Sequence, residues 1–284
     1  MVDSQDKLDY SCFQNKAEYT VYDLKKLIEI LRGPDGCPWD REQTHESISR
    51  NLLEEAYEAA EAIAQNDTDS LCEELGDVLM QVVFHSDIEE KLANFSLDDV
   101  AGAACRKLIS RHPHIFGGQK KLTGAEVLAN WDALKNKEKK HKTISDEMVA
   151  VARSLPALWR AEKVQQKAAK AGFDWPDYTG ALVALKSELQ ELCEVVNTGG
   201  DVAQELGDLI FSAVNLARFF QIDPEEALTQ STDKFVFRFK EMEHLAAGAG
   251  LQLEGMPLEK MDKLYDKAKI LTHRRESGCH ALEG

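Results

Sequence analysis

Eight acids in this sequence are spaced for one kind of chemistry. Glu55-x-x-Glu58 and Glu74-x-x-Asp77 stand in the run EEAYEAAEAIAQNDTDSLCEELGD, residues 54–77. Glu188-x-x-Glu191 and Glu205-x-x-Asp208 repeat the arrangement later in the chain. Positions three apart share one face of a helix, so each pair presents two carboxylates in one direction. Two such helices face to face repel each other unless a cation lies between them. A set of carboxylate oxygens suits a hard ion such as Mg2+. A lone E-x-x-E is usually a solvated helix face; recurrence beside apolar stripes, in the same order, argues against that. From the residues alone one competitor stays open, in which the acids pair with Lys and Arg inside a bundle and hold no metal.

The elements that must position these acids read as helices. Few prolines and long stretches of Ala, Glu, Lys and Leu favour helix over strand. Thr20-x-x-Asp23 opens the first helix as a capping box, and Gly33-Pro34 stops it. A turn-rich loop, GPDGCPWD, then carries Trp39, a residue placed either to plug the core or to wall a ligand pocket. The second helix runs from about Thr44 to Gln65, and Ser70-x-x-Glu73 caps the third. Gly76 inside the third helix either allows close helix approach or leaves space beside Asp77. Ser96-x-x-Asp99 and Thr123-x-x-Glu126 open two more helices. Residues 137–150 are charged and without apolar period, and read as a linker or a solvated helix extension. Beyond it the second half opens at Leu155-Pro156, and Asp223 with Pro224 starts one of its helices.

The two halves correspond in order and in kind. Trp39 matches Trp175, each pair of acids matches its later copy, and Glu74-Leu75-Gly76-Asp77 matches Glu205-Leu206-Gly207-Asp208. Lys107-x3-Arg111 matches Lys234-x3-Arg238, each an i, i+4 pair of cations on one helix face. Trp131-Asp132 matches Tyr265-Asp266. His112 and His114 flank Pro113 and read as turn or surface residues.

Composition narrows the function. A chain of 284 residues with 43% hydrophobic residues suits two domains of about 100–150 residues. A formal net charge of −16 argues against a general binder of nucleic acid or anionic membrane. No run approaches ~18 apolar residues, so no membrane span is expected. The six cysteines show no C-x-x-C spacing and read as reduced packing residues of a cytoplasmic protein. No Gly-rich phosphate loop is present, so a phosphate cradle would come from a metal and cations.

E-E-x-x-E followed by E-x-x-D, with GCPWD before it and KLISRHPHIFG after it, resembles the MazG family of nucleoside triphosphate pyrophosphohydrolases. The resemblance covers about residues 18–272, in two tandem copies. It implies an all-α fold of two helical-bundle domains, residues 18–140 and 150–272. It also implies a homodimer, Mg2+ dependence, and cleavage of NTP or dNTP to the monophosphate and pyrophosphate. By matched position, the metal ligands would be Glu55, Glu58, Glu74 and Asp77 in copy one. In copy two, Glu188, Glu191, Glu205 and Asp208 would be both metal ligands and catalytic residues. Lys234 and Arg238, with their matches Lys107 and Arg111, would hold phosphates. Tyr265, with its match Trp131, would contact the nucleotide. A water held by a spare carboxylate such as Glu191 or Glu58 would attack phosphorus in line.

The chain departs from the pattern at one position: the leading acid, Glu54 in copy one, is Ser187 in copy two. The family's two-domain members place hydrolysis in the carboxy-terminal copy, so copy two is read as the main site although copy one has the fuller acid set. Two other functions fit the same residues. One is a non-catalytic metal- or nucleotide-binding dimerisation module. The other is a related all-α pyrophosphohydrolase acting on dUTP or phosphoribosyl-ATP.

Overall fold

The computed structural model describes residue 13, residues 16–117, 123, 124, 126 and 127, and residues 143–279, with side chains to residue 273. The described residues form helices and no strand, giving the all-α fold expected. The chain divides into two compact units, Met1–Glu138 and Lys139–Gly284. In the first, α1 is Val21–Leu31, α2 Pro38–Glu42, α3 His45–Gln65, α4 Thr68–Lys91, α5 Leu97–Arg111 and α6 Pro113–Phe116. In the second, α7 is Ile144–Val149, α8 Ala157–Lys170, α9 Tyr178–Thr198, α10 Val202–Phe219, α11 Pro224–Gly248 and α12 Leu258–Cys279.

The packing repeats as the sequence does. In unit one α4 packs on α1, α3 and α5; in unit two α10 packs on α8, α9 and α11. The acid-bearing helices form the most extensive pair in each unit, α3 with α4 and α9 with α10. Both hairpins turn on the same device. A left-handed residue ends the first helix, Asn66 at φ 55° or Gly199 at φ 85°. An aspartate then caps the second. Asp67 accepts from the backbone N–H groups of Asp69 and Ser70, and Asp201 from those of Ala203 and Gln204. The short turns leave the acids of each hairpin facing across the helix pair.

Capping boxes at Thr20 and Ser96 stand where the sequence places them, and Asp223 caps α11 with Pro224 in its first turn. Ser70 is not the cap of α4. The helix starts at Thr68 because the Asp67 carboxylate takes two backbone N–H groups and the Ser70 hydroxyl. Trp39 does not plug the core: it rides on α2 and is 63% exposed. Residues 144–149, within the stretch read as linker, form α7. Thr143 and Asp146 make its capping box, and Glu147 pairs with Lys167 of α8 at 2.9 Å. Pro113 does not only close α5; it also opens α6. Thr123 and Glu126 bond as a capping box, while Trp131 lies outside the described residues.

Unit one has a core of Ile28, Ile48, Val83, Phe84 and Leu97. A buried ion pair adjoins it: Arg32 Nε donates to Asp87 Oδ2 at 2.6 Å, with both side chains about 5% exposed (6% and 5%). Arg32 also lies over the Phe84 ring and donates to the carbonyls of Asp40 and Gln43. It thereby ties the end of α1 to α4 and to the loop below. Unit two buries small residues: Ala181, Val214, Ala246 and Ala268, with Met242. Val183, Leu189 and Val196 of α9, Leu206, Ile210 and Phe211 of α10, and Phe235, Val236 and Phe237 of α11 stay exposed. No described helix is long and apolar enough to cross a membrane.

Candidate functional site

Each hairpin gathers its carboxylates. In unit one, oxygens of Glu55, Glu58 and Glu74 lie within 4.8 Å of one another; in unit two, those of Glu188, Glu205 and Asp208 do. The fourth acid of each set is close enough to be felt. Burial first, then the charges of Asp77, Glu58 and Glu74, push the Glu55 carboxyl above its usual range. Burial first, then Glu58, Glu73 and Asp77, do the same to Glu74. Burial first, then Glu191, Asp208 and Glu205, raise Glu188. Among the described residues, none of the eight acids has a Lys or Arg partner. The competing arrangement of internal ion pairs is therefore not what the chain builds. Acids held together without a counter-charge, offering oxygen only, fit a hard divalent cation.

Gly76 and Gly207 have open space beside them: a Cβ at either would meet nothing within 4 Å. Of the two roles read for Gly76, leaving room next to the acid is the one seen, and close helix approach is not.

The Glu54/Ser187 difference has a structural consequence. Glu54 turns away from its cluster to Arg50, whose Nε donates to it at 2.9 Å on an exposed face. Ser187 Oγ instead donates to Glu191 at 3.1 Å. Glu58 closes the triad of unit one, whereas Asp208 closes that of unit two and Glu191 stands beside it on the Ser187 hydroxyl.

The proposed phosphate-binding cations are not drawn into the acid clusters. Lys107 and Lys234 are exposed, Arg111 is buried, and Arg238 is half-buried with its Nε enclosed and unpartnered. Tyr265 packs on Phe235, ring centroids 5.7 Å apart, beneath the Lys269 ammonium. His112 Nδ1 lies 2.6 Å from the Leu108 carbonyl, closing the end of α5 rather than forming a site.

A feature not read from the sequence lies beside the second cluster. Trp175, Thr179, Gly180, Val183, Ala184, Ser187 and Glu188 line an open depression of about 490 Å³. Arg218 clamps the loop that carries Trp175, donating to both Asp174 oxygens at 2.9 and 2.5 Å, and holds the Asp174 carboxyl below its usual range. The indole lies against α9 at Gly180, where a Cβ would stand 2.7 Å from Trp175 Cδ2. The glycine in W-P-D-Y-T-G was the available signal: its spacing from Trp175 admits the ring. Gly180→Ala is expected to displace the indole while changing stability by less than about 1 kcal/mol, because Ala favours the helix by ~1 kcal/mol. Tryptophan emission together with a urea titration checks both parts.

The model of a family described as the MazG nucleotide pyrophosphohydrolase domain matches the chain twice, at residues 43–116 and 178–242. Each match spans one acid-bearing hairpin and its cation pair. A nucleoside triphosphate pyrophosphohydrolase/pyrophosphatase MazG of Thermotoga maritima is 44% identical over 87% of this chain and 94% of its own length. A nucleoside triphosphate pyrophosphohydrolase of Escherichia coli K12 is 38% identical over 87% of this chain and 95% of its own. The uncharacterized protein YabN of Bacillus subtilis is 44% identical over 89% of this chain, which spans 52% of that protein.

Proposed function

The chain belongs to the MazG family of nucleotide pyrophosphohydrolases, and on that premise we propose that it hydrolyses NTP and dNTP to the monophosphate and pyrophosphate with Mg2+. The carrying observation is the cluster of mutually repelling acids, built twice on matched hairpins with no Lys or Arg partner among the described residues. Glu188, Glu205 and Asp208, with Glu191, would hold Mg2+ in copy two; Glu55, Glu58 and Glu74, with Asp77, would hold it in copy one. When bound, the ion would offset the triphosphate's charge and polarise its phosphorus.

The chain's own groups supply the rest. Glu191, steadied by Ser187, takes the proton of the attacking water. The water oxygen bonds to phosphorus, the α–β phosphoanhydride opens, and pyrophosphate leaves. Lys234 and Arg238 stabilise the charge that develops on it. Tyr265 contacts the nucleotide. Lys107, Arg111 and Trp131 hold the matching places in copy one. Copy two is the main site, a reading supported by the depression that Trp175 walls beside Glu188.

The domains are 18–140 and 150–272, one MazG-like bundle each. The exposed apolar side chains of α9, α10 and α11 suit a homodimer, which would bury them. The free thiols of Cys37, Cys72, Cys105 and Cys193 fit the reducing cytoplasm.

The test is Mg2+-dependent pyrophosphate release over a panel that includes NTPs, dNTPs, dUTP and phosphoribosyl-ATP. Glu191→Ala with Asp208→Ala should lose at least about a hundredfold in kcat/KM, several kcal/mol of metal and base catalysis being removed. Glu58→Ala with Asp77→Ala should keep most of it. The reverse pattern would move the main site to copy one. Absence of a Mg2+-dependent pyrophosphate product from every substrate would leave only a binding or dimerisation module.

A further inference from the structure

The loop before α9 holds Trp175 from both sides. On one side Asp174 accepts from two guanidinium nitrogens of Arg218 on α10, Nη1 at 2.9 Å and Nη2 at 2.5 Å. A planar guanidinium that meets both carboxylate oxygens fixes orientation as well as distance. Arg218 is itself fixed: its Nε and Nη2 donate to Asn215 Oδ1 at 3.2 and 2.9 Å, and the group lies 4.7 Å from the Phe219 ring centroid. The Asp174 carboxylate also accepts the Trp175 backbone N–H at 2.9 Å. On the other side Asp177 caps α9, and Gly180 leaves the room that the indole takes. Trp175 so held is still 48% exposed, and it walls the depression that Glu188 also lines.

Unit one differs at both places. Counting from the E-x-x-D acids, Arg218 corresponds to Asp87. Asp87 bonds Arg32, whose guanidinium lies over the Phe84 ring, and the seam between α1 and α4 is filled. Counting from Glu188 and Glu55, the residues Gly180, Val183, Ala184 and Ser187 correspond to Ser47, Arg50, Asn51 and Glu54. There Arg50 and Glu54 pair along the face at 2.9 Å. In copy two the same face is small and mostly apolar, and it lies between the indole and Glu188. The phosphates of a triphosphate belong at an ion and at cations. What suits an uncharged face with an aromatic wall is the nucleoside part.

We propose that Arg218 is a positioning residue of copy two: through Asp174 it holds the Trp175 indole where the nucleoside part of the substrate packs beside Glu188. The inference rests on the hydrolase reading and deepens it, since it names the part of the substrate that the depression takes and the residue that keeps its wall in place. Arg218 meets neither the phosphates nor the ion. Its effect passes through Trp175, so it falls on the binding of the nucleoside and not on the cleavage of the phosphoanhydride.

The test compares ATP with methyl triphosphate, which carries no nucleoside. Arg218→Lys keeps the charge and loses the fork. It is expected to lower the ratio of kcat/KM on ATP to that on methyl triphosphate at least about threefold, mostly through KM for ATP. Trp175→Ala should lower the same ratio at least about tenfold, because a base stacked on an indole loses its partner. The double variant should lose no more than Trp175→Ala alone, since both changes act through one side chain. If Trp175→Ala does not fold, Arg218→Lys against the wild type decides. Calorimetric binding of AMP asks the same question without turnover. A protein that releases no pyrophosphate from any substrate, yet binds AMP at least about threefold more weakly as Arg218→Lys, would sink the hydrolysis and uphold the positioning role. An unchanged ratio in Arg218→Lys, a fall in kcat with KM unchanged, losses that add in the double variant, or AMP binding that neither substitution alters, overturns it.

Discussion

Glu188→Gln is expected to reduce pyrophosphohydrolase activity by about two to three orders of magnitude and to make the metal-free protein more stable. The first effect follows from removing one anionic oxygen donor from the set proposed to hold Mg2+, which is asked to supply several kcal/mol in the transition state. The second follows from the direction of the pKa shift. Burial first, and then Glu191, Asp208 and Glu205, raise the Glu188 carboxyl in the folded chain. The folded state therefore holds this proton more tightly than the unfolded state does. That contribution to stability is fully present below the unfolded carboxylate value. It is lost as pH rises through the raised one, so at neutral pH the metal-free fold carries an unrelieved repulsion. A neutral amide of the same shape removes it.

The melting temperature in chelator at pH 7 should thus be higher for the variant, and the difference should vanish near pH 4. Added Mg2+ should raise the wild type more than the variant, because a ligand that binds only the folded state stabilises it by mass action. A variant that loses activity and also melts lower in chelator would show Glu188 to be a structural residue and refute the metal-site reading of the cluster.

What the sequence makes legible here is what local chemistry decides. Thr20 with Asp23, and Ser96 with Asp99, announce helix starts because the capping bonds lie within one turn. The acid clusters were legible because each needs only two helix faces, and the repeat supplied the second copy. Asp67 was misjudged in favour of Ser70 because both are good caps three residues apart, and only the geometry of the turn at Asn66 decides between them. The stretch holding α7 reads as a charged linker or a solvated helix extension, and Thr143-x-x-Asp146 carries the signature that decides for the helix. Its stability comes from α8 through Glu147 and Lys167, a contact no local pattern reveals. The place of Gln165 was beyond reach altogether. Its amide nitrogen donates to the Phe211 carbonyl, 46 residues away. The matched positions Asp87 and Arg218 make the same point. They carry opposite charges, and each found its partner on a different neighbouring segment, Arg32 on one side and Asp174 on the other.

Asp87→Ala should destabilise unit one by about 3–5 kcal/mol, the loss typical of breaking a buried ion pair by removing one partner. Arg32 is 6% exposed and cannot reach solvent. Its hydrogen bonds to the Asp40 and Gln43 carbonyls and its contact with the Phe84 ring would hold the guanidinium in place without a counter-charge. Lys91, which also bonds Asp87 at 2.8 Å, is 44% exposed and turns to water at little cost. The double change Arg32→Met with Asp87→Leu should recover most of the loss, since an apolar pair of similar volume removes both desolvation terms and extends the core of Ile28, Val83 and Phe84. Urea titration of the isolated changes and the pair measures this. Hydrolysis under native conditions, if it belongs to copy two, should be retained in the double variant, because both residues belong to unit one and the Glu188, Glu205 and Asp208 cluster to unit two. A loss below about 1 kcal/mol for Asp87→Ala would place the pair in the range of surface salt bridges and show that Arg32 finds solvent. In that case the filled seam of unit one would be packed by Phe84 alone.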